Sequence, residues 1–556
     1  EKTTPFLDYM FSMKHRIPSS KMPVATDSVI SSTRGDGTAK TVKLRGASDL
    51  LNANRLFFLL LGFRMVNALL LRTYFNPDEH WQSLEVAHRL VFGYGHLTWE
   101  WRQGIRSYLH PLIFSVMYKF FEVFGLDTPC FMARGPRMFQ AIFSAIGDLY
   151  LFKLTLVLFN FKVAKWALFS QLTNWFMFYC INRTFSNSLE TVLTLVSLYY
   201  WPCIRGSSGN DSTVSRKLAL AIAAFSCAIR PTSAITWAYV GFLELLFTHN
   251  KWRFILLEAL PIGSIMLGIT CLMDRWMYGY WVMVPINFLK FNLLSSGGDH
   301  YGTHKWHWYF TQGFSVMLFT FTPFTIAGVL KSNHRKVSGL ILWVLLFYSV
   351  LGHKEFRFVL PVLPLSLIFS GYSLAALASE TSSNRKKSVP STSSSSRLSK
   401  VGFAVVFLLI TNIPMALYMS LIHQRGSEEV MIYLSKEAQT RKLKSVLFLM
   451  PCHATPYYST LHADVPMRFF DCSPRSGGRE ASDESDSFMT NPIAITSGLA
   501  KNGSLAGHVV LFDSEERLLR DLLVSHSFVE KKRFFHAHFK VDRDLQGSVV
   551  VYAANY

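Results

Sequence analysis

The chain has 556 residues, 50% of them hydrophobic, with 47 Phe and a formal charge of +20. That is too apolar and too aromatic for a soluble enzyme of this size, and it predicts a polytopic membrane protein. The charge does not point to nucleic acid, because the basic residues cluster in short stretches between apolar runs, as orientation signals do; no nucleic-acid partner is expected.

Residues 1–50, rich in Ser, Thr, Lys and Arg and without apolar periodicity, predict a disordered cytosolic tail and no cleavable leader. A multi-span catalytic domain is expected over 51–425. It holds twelve apolar segments, near 53–73, 109–126, 138–158, 164–181, 186–204, 217–230, 233–249, 254–273, 313–330, 337–351, 358–378 and 401–421. Residues 74–108 read as the first luminal loop. The Ser-rich, basic stretch 379–400 reads as a cytosolic linker, and Lys331–Lys336 as cytosolic too. A cytosolic start and a luminal end require an odd number of crossings, so about eleven transmembrane helices are expected. Counting from both ends places the segment that does not cross between 109 and 204, as a short or re-entrant helix lining a polar cavity.

Beyond residue 425 the pattern changes to that of a small luminal α/β domain, 426–556. Val446–Met450, Val509–Phe512, Arg533–Phe539 and Val549–Tyr552 predict strands, Ser514–Val524 a helix, and 474–488 a flexible loop. The fold class is therefore an all-α polytopic membrane protein with a small C-terminal α/β domain. Of seven cysteines only Cys452 and Cys472 lie in that polar region, where they are a disulfide candidate if it faces an oxidising lumen. Asn182, Asn210 and Asn502 begin glycosylation sequons, with Asn502 the favoured acceptor on the same condition.

Candidate chemistry begins in the first loop, at Asn76-Pro77-Asp78-Glu79-His80-Trp81. Asn76 suits an N-cap and Pro77 the first helical position, which puts Asp78 and Glu79 in the first turn, ionised and available as a base. Trp81, Leu84, His88 and Val91 recur at helical spacing, the pattern of an amphipathic helix lying on a membrane surface. Charged residues at membrane depth default to function. Arg230 interrupts an apolar stretch, and His353-Lys354-Glu355-Phe356-Arg357-Phe358 places four ionisable groups between two apolar runs. The bland alternatives are a snorkelling Arg230 and a Glu355–Arg357 structural bridge. His300, His304, Lys305 and His307, beside Trp306 and Trp308, form a third polar set suited to a sugar or a phosphate.

An acidic base and several cations on one membrane face suit transfer from a lipid-linked phospho-sugar. The leaving phosphate is already anionic and needs no strong general acid, so one carboxylate suffices and a single displacement inverts the anomeric centre. His536, His538, Asp542 and Asp544 are a weak metal pattern, and no metal or cofactor is expected.

The runs Asn76–His88, Ile229-Arg230-Pro231-Thr232, His353–Phe358 and Met450–Ser459 resemble the endoplasmic-reticulum mannosyltransferases that use dolichyl-phosphate mannose, over roughly residues 52–475. The resemblance implies a C-type glycosyltransferase fold and a multi-pass protein of the endoplasmic-reticulum membrane with a luminal active site. It also implies that dolichyl-phosphate mannose and a mannosylated glycosylphosphatidylinositol (GPI) precursor are the lipid substrates, with a third, α1,2-linked mannose as the product. The expected catalytic residues are Asp78 and Glu79. The expected substrate-binding residues are Arg230, His353, Lys354, Arg357, His304, Lys305, His307 and Trp81. Many relatives have His where Asn76 stands, so an imidazole there is not essential. A sister enzyme acting on the lipid-linked N-glycan precursor would share Asp78, Glu79 and His353, and the run Met450–Ser459 argues against it. A lipid or sugar-phosphate transporter would more often carry internal repeats, and the sequence has none.

Overall fold

The computed structural model describes residues 46–206, 210–294, 302–387, 399–473, 483–540 and 545–555. Most of the predicted tail, half of the 379–400 linker, His300, and Asp542 with Asp544 lie outside the described residues. The architecture is that of residues 53–556, which form one compact unit.

Each of the twelve apolar segments folds as helix. Among the described residues, six helical stretches are long and apolar enough to cross a membrane: Ala53–Leu70, Pro129–Leu158, Lys251–Tyr278, Tyr309–Lys331, Phe356–Glu380 and Lys400–Gln439, the last being apolar up to Leu421. Between them stand shorter helices, among them Leu109–Val123, Phe161–Thr173, Ser186–Tyr200 and Arg335–Val350. The segment predicted over 164–181 is broken at Asn174 into Phe161–Thr173 and Trp175–Cys180. The Asn174 side chain caps the second piece by accepting from Met177 N, and its amide donates to Met317 O, so the break is built rather than frayed. Thirteen helical residues rise only about 20 Å, short of the ~30 Å hydrocarbon core.

The bundle core runs through Phe176, Tyr179, Trp201, Tyr309, Leu360, Leu363 and Phe369, which are all buried. Helix Leu363–Lys387 packs along Phe161–Thr173 so closely that a side chain on Gly371 would strike the backbone of Ala167.

In the C-terminal region, strands β1 (Val446–Leu449), β2 (Met467–Phe469), β3 (His508–Phe512), β4 (Phe528–Phe535) and β5 (Ser548–Ala554) form one sheet in the order β2-β1-β3-β5-β4. The β1 pairings are parallel, and the pairings to β5 are antiparallel. Val446, Phe448, Val510 and Val551 face helix Gly426–Gln439, whereas Leu447, Leu449, Val509 and Val550 face helix Asp513–Ser525. Helices cover both faces, which is why the central strands read as continuous apolar runs rather than alternating ones. Two expectations need correcting. Glu484–Thr490 is a helix and not a loop, with Asp483 as its N-cap and acidic residues in its first turn. The strand expected at Arg533–Phe539 lies earlier, at Phe528–Phe535, offset by an irregularity between Glu530 and Lys532.

Candidate active site

The first loop enters its helix as the sequence demands. Asn76 Oδ1 accepts from Asp78 N at 3.0 Å, and the backbone N–H groups of His80 and Trp81 return to Pro77 O. The helix then widens into a π-turn over His80–Leu84 before continuing as Glu85–Phe92. Such turns recur at functional sites because they re-aim the side chains that flank them.

Here the two carboxylates part. Glu79 is wholly buried: Arg137 Nε donates to Oε1 at 2.7 Å and Arg183 Nη1 to Oε2 at 2.7 Å. Arg137 also grips Glu428 of helix Gly426–Gln439, while Arg183 also donates to Thr73 O and Thr73 Oγ1. Burial pushes the Glu79 carboxyl up, but the charges of Arg137 and Arg183 outweigh it and hold the group down at about 2. With both oxygens engaged by guanidinium, Glu79 offers no open face for the base role expected of it.

Asp78 points the other way, its side chain 18% exposed. Arg357 Nη1 donates to its Oδ2. Among the described residues nothing donates to Oδ1. The other edge of Arg357 is fixed by Glu355, with Nε on Oε2 and Nη2 on Oε1, both at 2.6 Å. Glu355 also accepts from Asn76 Nδ2 at 2.9 Å and pairs with His353 Nε2 at 3.1 Å. Burial raises its pKa, yet the Arg357 charge and the His353 and Arg357 hydrogen bonds prevail and hold it well below the usual carboxylate range. Thus Arg357 makes the structural bridge to Glu355 and also reaches Asp78.

Arg230 shares the Phe358 ring with Arg357, their guanidiniums 5.3 and 5.5 Å from its centroid. Glu190 holds it at 3.3 Å, and Ser186 Oγ accepts from its Nη1. Lys354 differs from expectation: its ammonium donates to His304 O, Leu351 O and Gly352 O in a nearly buried position, so it ties two loops together and has no free donor for a phosphate. His304 N also bonds Gly352 O, and its ring stacks on Trp308. Lys305 is exposed beside it, and His307 Nδ1 lies 3.3 Å from Thr311 Oγ1.

Trp81 is corrected too. It is buried rather than open to a sugar, donating from Nε1 to Thr455 O at 3.0 Å and packing on His453, Tyr457 and Phe469. Glu85 anchors the same seam by accepting from Tyr457 N, Ser459 N and Ser459 Oγ. The stripe read as membrane-facing therefore faces protein, with Trp81 against the C-terminal domain and Leu84 against Phe114 and Met132. Cys452 and Cys472 are joined in a disulfide next to this seam. Asn502 is exposed just past helix Pro492–Lys501, whereas Asn182 is buried and donates to Arg64 O and Asn67 Oδ1, which rules it out as a glycan acceptor. The Asn210 side chain lies outside the described residues.

Sequence reasoning missed Glu190, Arg137, Arg183 and Glu428. Glu190 and Arg137 each interrupt an apolar run, the same signal that marked Arg230. Arg183 was hidden inside a sequon.

The candidate site is thus an open carboxylate, Asp78, held against Arg357. The model for the Alg9-like mannosyltransferase family matches residues 55–462, and the chain belongs to that family; it is a membrane glycosyltransferase. It is 64% identical to Mannosyltransferase APTG1 of Arabidopsis thaliana, over 90% of this chain and 92% of the relative. It is 40% identical to GPI alpha-1,2-mannosyltransferase 3 of Homo sapiens, over 91% of this chain and 88% of the relative. The crystal structure of ArnT from Cupriavidus metallidurans bound to undecaprenyl phosphate superposes with a TM-score of 0.55 at 12% identity, covering 91% of this chain and 98% of that one. That likeness is to the expected C-type glycosyltransferase fold.

Proposed function

We propose that this protein transfers mannose from dolichyl-phosphate mannose to a GPI-anchor precursor as its third, α1,2-linked mannose, at the luminal face of the endoplasmic-reticulum membrane. The observation that carries the chemistry is Asp78 Oδ1, open beside a guanidinium whose other edge is fixed. The names of the relatives carry the acceptor.

Asp78 takes the proton of the acceptor hydroxyl as that oxygen forms its bond to the anomeric carbon. The bond from that carbon to the bridging phosphate oxygen breaks on the opposite face, and its electron pair leaves with the dolichyl phosphate. The configuration inverts. Arg357 and Arg230 stabilise the charge that grows on the phosphate, and as planar forks they orient its oxygens as well. His353, His304, Lys305 and His307 line the approach of the polar head groups. Glu79 keeps the helix start in place and takes no proton.

The test is transfer by purified protein from dolichyl-phosphate mannose to a GPI acceptor carrying two mannoses. The expected product has a third mannose removable by an α1,2-mannosidase. Transfer to a lipid-linked N-glycan precursor in its place would assign the chain to the sister activity.

A further inference from the structure

Four groups donate to or pair with Glu355: Asn76 Nδ2, His353 Nε2, and both Nε and Nη2 of Arg357. Two of them fix one edge of the guanidinium, so Arg357 reaches Asp78 through Nη1 alone, and only at Oδ2. A guanidinium released from that hold would be free to turn its two-donor fork onto the nearest carboxylate, because a bidentate pair is stronger than a single bond. The nearest one is Asp78, and a fork there would cover both of its oxygens. Asn76 reinforces the arrangement from the other end: its Oδ1 holds the backbone of Asp78 while its Nδ2 holds Glu355. The base and its restraint are thereby kept at a fixed separation. Tyr309 OH donates to Glu355 O at 3.0 Å, pinning the backbone of the same turn.

We propose that Glu355 is a positioning residue for the transfer: it keeps Arg357 from forking onto Asp78, so that one Asp78 oxygen stays open for the acceptor hydroxyl and the remaining Arg357 donors stay open for the donor phosphate. The proposal rests on Asp78 as the base and Arg357 as a phosphate ligand.

It makes a test that neither a simple binding role nor a simple stabilising role shares. Glu355→Gln preserves shape but gives up the charged hold on Arg357. Rate per folded enzyme, at saturating dolichyl-phosphate mannose and acceptor, should fall at least ~10-fold, and the acceptor KM should change by less than about threefold. Lysine cannot fork, so adding Arg357→Lys to Glu355→Gln should lower the rate by clearly less than Arg357→Lys lowers it in the parent. Glu355→Asp, which keeps the charge on a shorter stem, should recover part of the loss. Two outcomes overturn the proposal: a normal rate per folded Glu355→Gln enzyme, or a double variant whose loss equals the product of the two single losses. If Glu355→Gln yields too little folded protein, Asn76→Ala, which frees the brace from the Asp78 side, should show a kcat loss without a matching acceptor KM change; an unchanged kcat there overturns it equally. Asp78→Asn is run alongside. If that variant is fully active, the assignment of Asp78 as the base fails and the positioning role with it; if it is inactive while the Glu355 variants behave normally, only the positioning role fails.

Discussion

Two neighbouring carboxylates at one helix start live in opposite circumstances. Glu79 is 0% exposed with a guanidinium on each oxygen; Asp78 is 18% exposed with a guanidinium on one oxygen alone. Each belongs to a cluster of acids and arginines drawn from distant parts of the chain, so the ingredients do not distinguish them. What differs is completeness. A closed network has no valence left for a substrate and is judged by stability, whereas an open one keeps donors and acceptors for a reacting molecule and is judged by rate.

The sharpest way to break that contrast is Glu79→Gln. It leaves Arg137 and Arg183 short of a buried counter-charge, and removing one partner of a buried pair costs roughly 3–5 kcal/mol. The thermal midpoint of the purified protein should drop, and little folded protein should be recovered. Because the folded pKa of Glu79 lies below its unfolded value, its contribution is fully present above the ordinary carboxylate range. It is lost as the pH falls from about 4.5 towards about 2. A Glu79→Gln protein should therefore lack part of the acid-induced destabilisation of the parent. Normal stability for this variant would show that the closed network is not structural.

Next in size is Asp78→Asn, which keeps the shape and abolishes proton acceptance. Turnover should fall ~100-fold or more with an unchanged thermal midpoint. Arg357→Lys should follow, with a loss on the order of ten- to a hundredfold in kcat, since a point charge replaces a fork that serves two carboxylates and, in the proposed mechanism, the donor phosphate. Equal rates for Arg357→Lys and the parent at saturating donor would remove Arg357 from the open network. The smallest effect belongs outside both networks. Asn502→Gln should abolish an endoglycosidase-sensitive shift in gel mobility and leave rate and midpoint alone. An unmodified Asn502 in protein made in eukaryotic cells would count against a luminal C-terminal domain.

The sequence carried the helices and central strands because their apolar runs are long, and it carried the first-loop helix start because Asn76, Pro77 and two acids signal it locally. It also singled out Asp78, Arg230 and Arg357, since a charge in or beside an apolar run is conspicuous. It did not separate Asp78 from Glu79: which side of a helix start is buried depends on Arg137 and Arg183, 58 and 104 residues away from Glu79. For the same reason Lys354 passed as a phosphate ligand, since the carbonyls that hold it come from loop backbone that leaves no mark in side-chain identity. Trp81 misled because an apolar stripe on a surface helix looks alike whether lipid or protein covers it. β2 escaped notice as a three-residue edge strand with Arg at its centre.

The seam between Trp81 and Thr455 has a bearing on how the protein is made. Its two sides are 374 residues apart in the chain. At roughly 5–20 residues per second, the first-loop helix leaves the ribosome on the order of twenty seconds to about a minute before the segment that covers it. Throughout that interval Trp81, Glu85 and Glu79 lack the partners that the C-terminal region supplies, directly or through Arg137. The packing of the first-loop helix on the C-terminal region is therefore completed only late in synthesis.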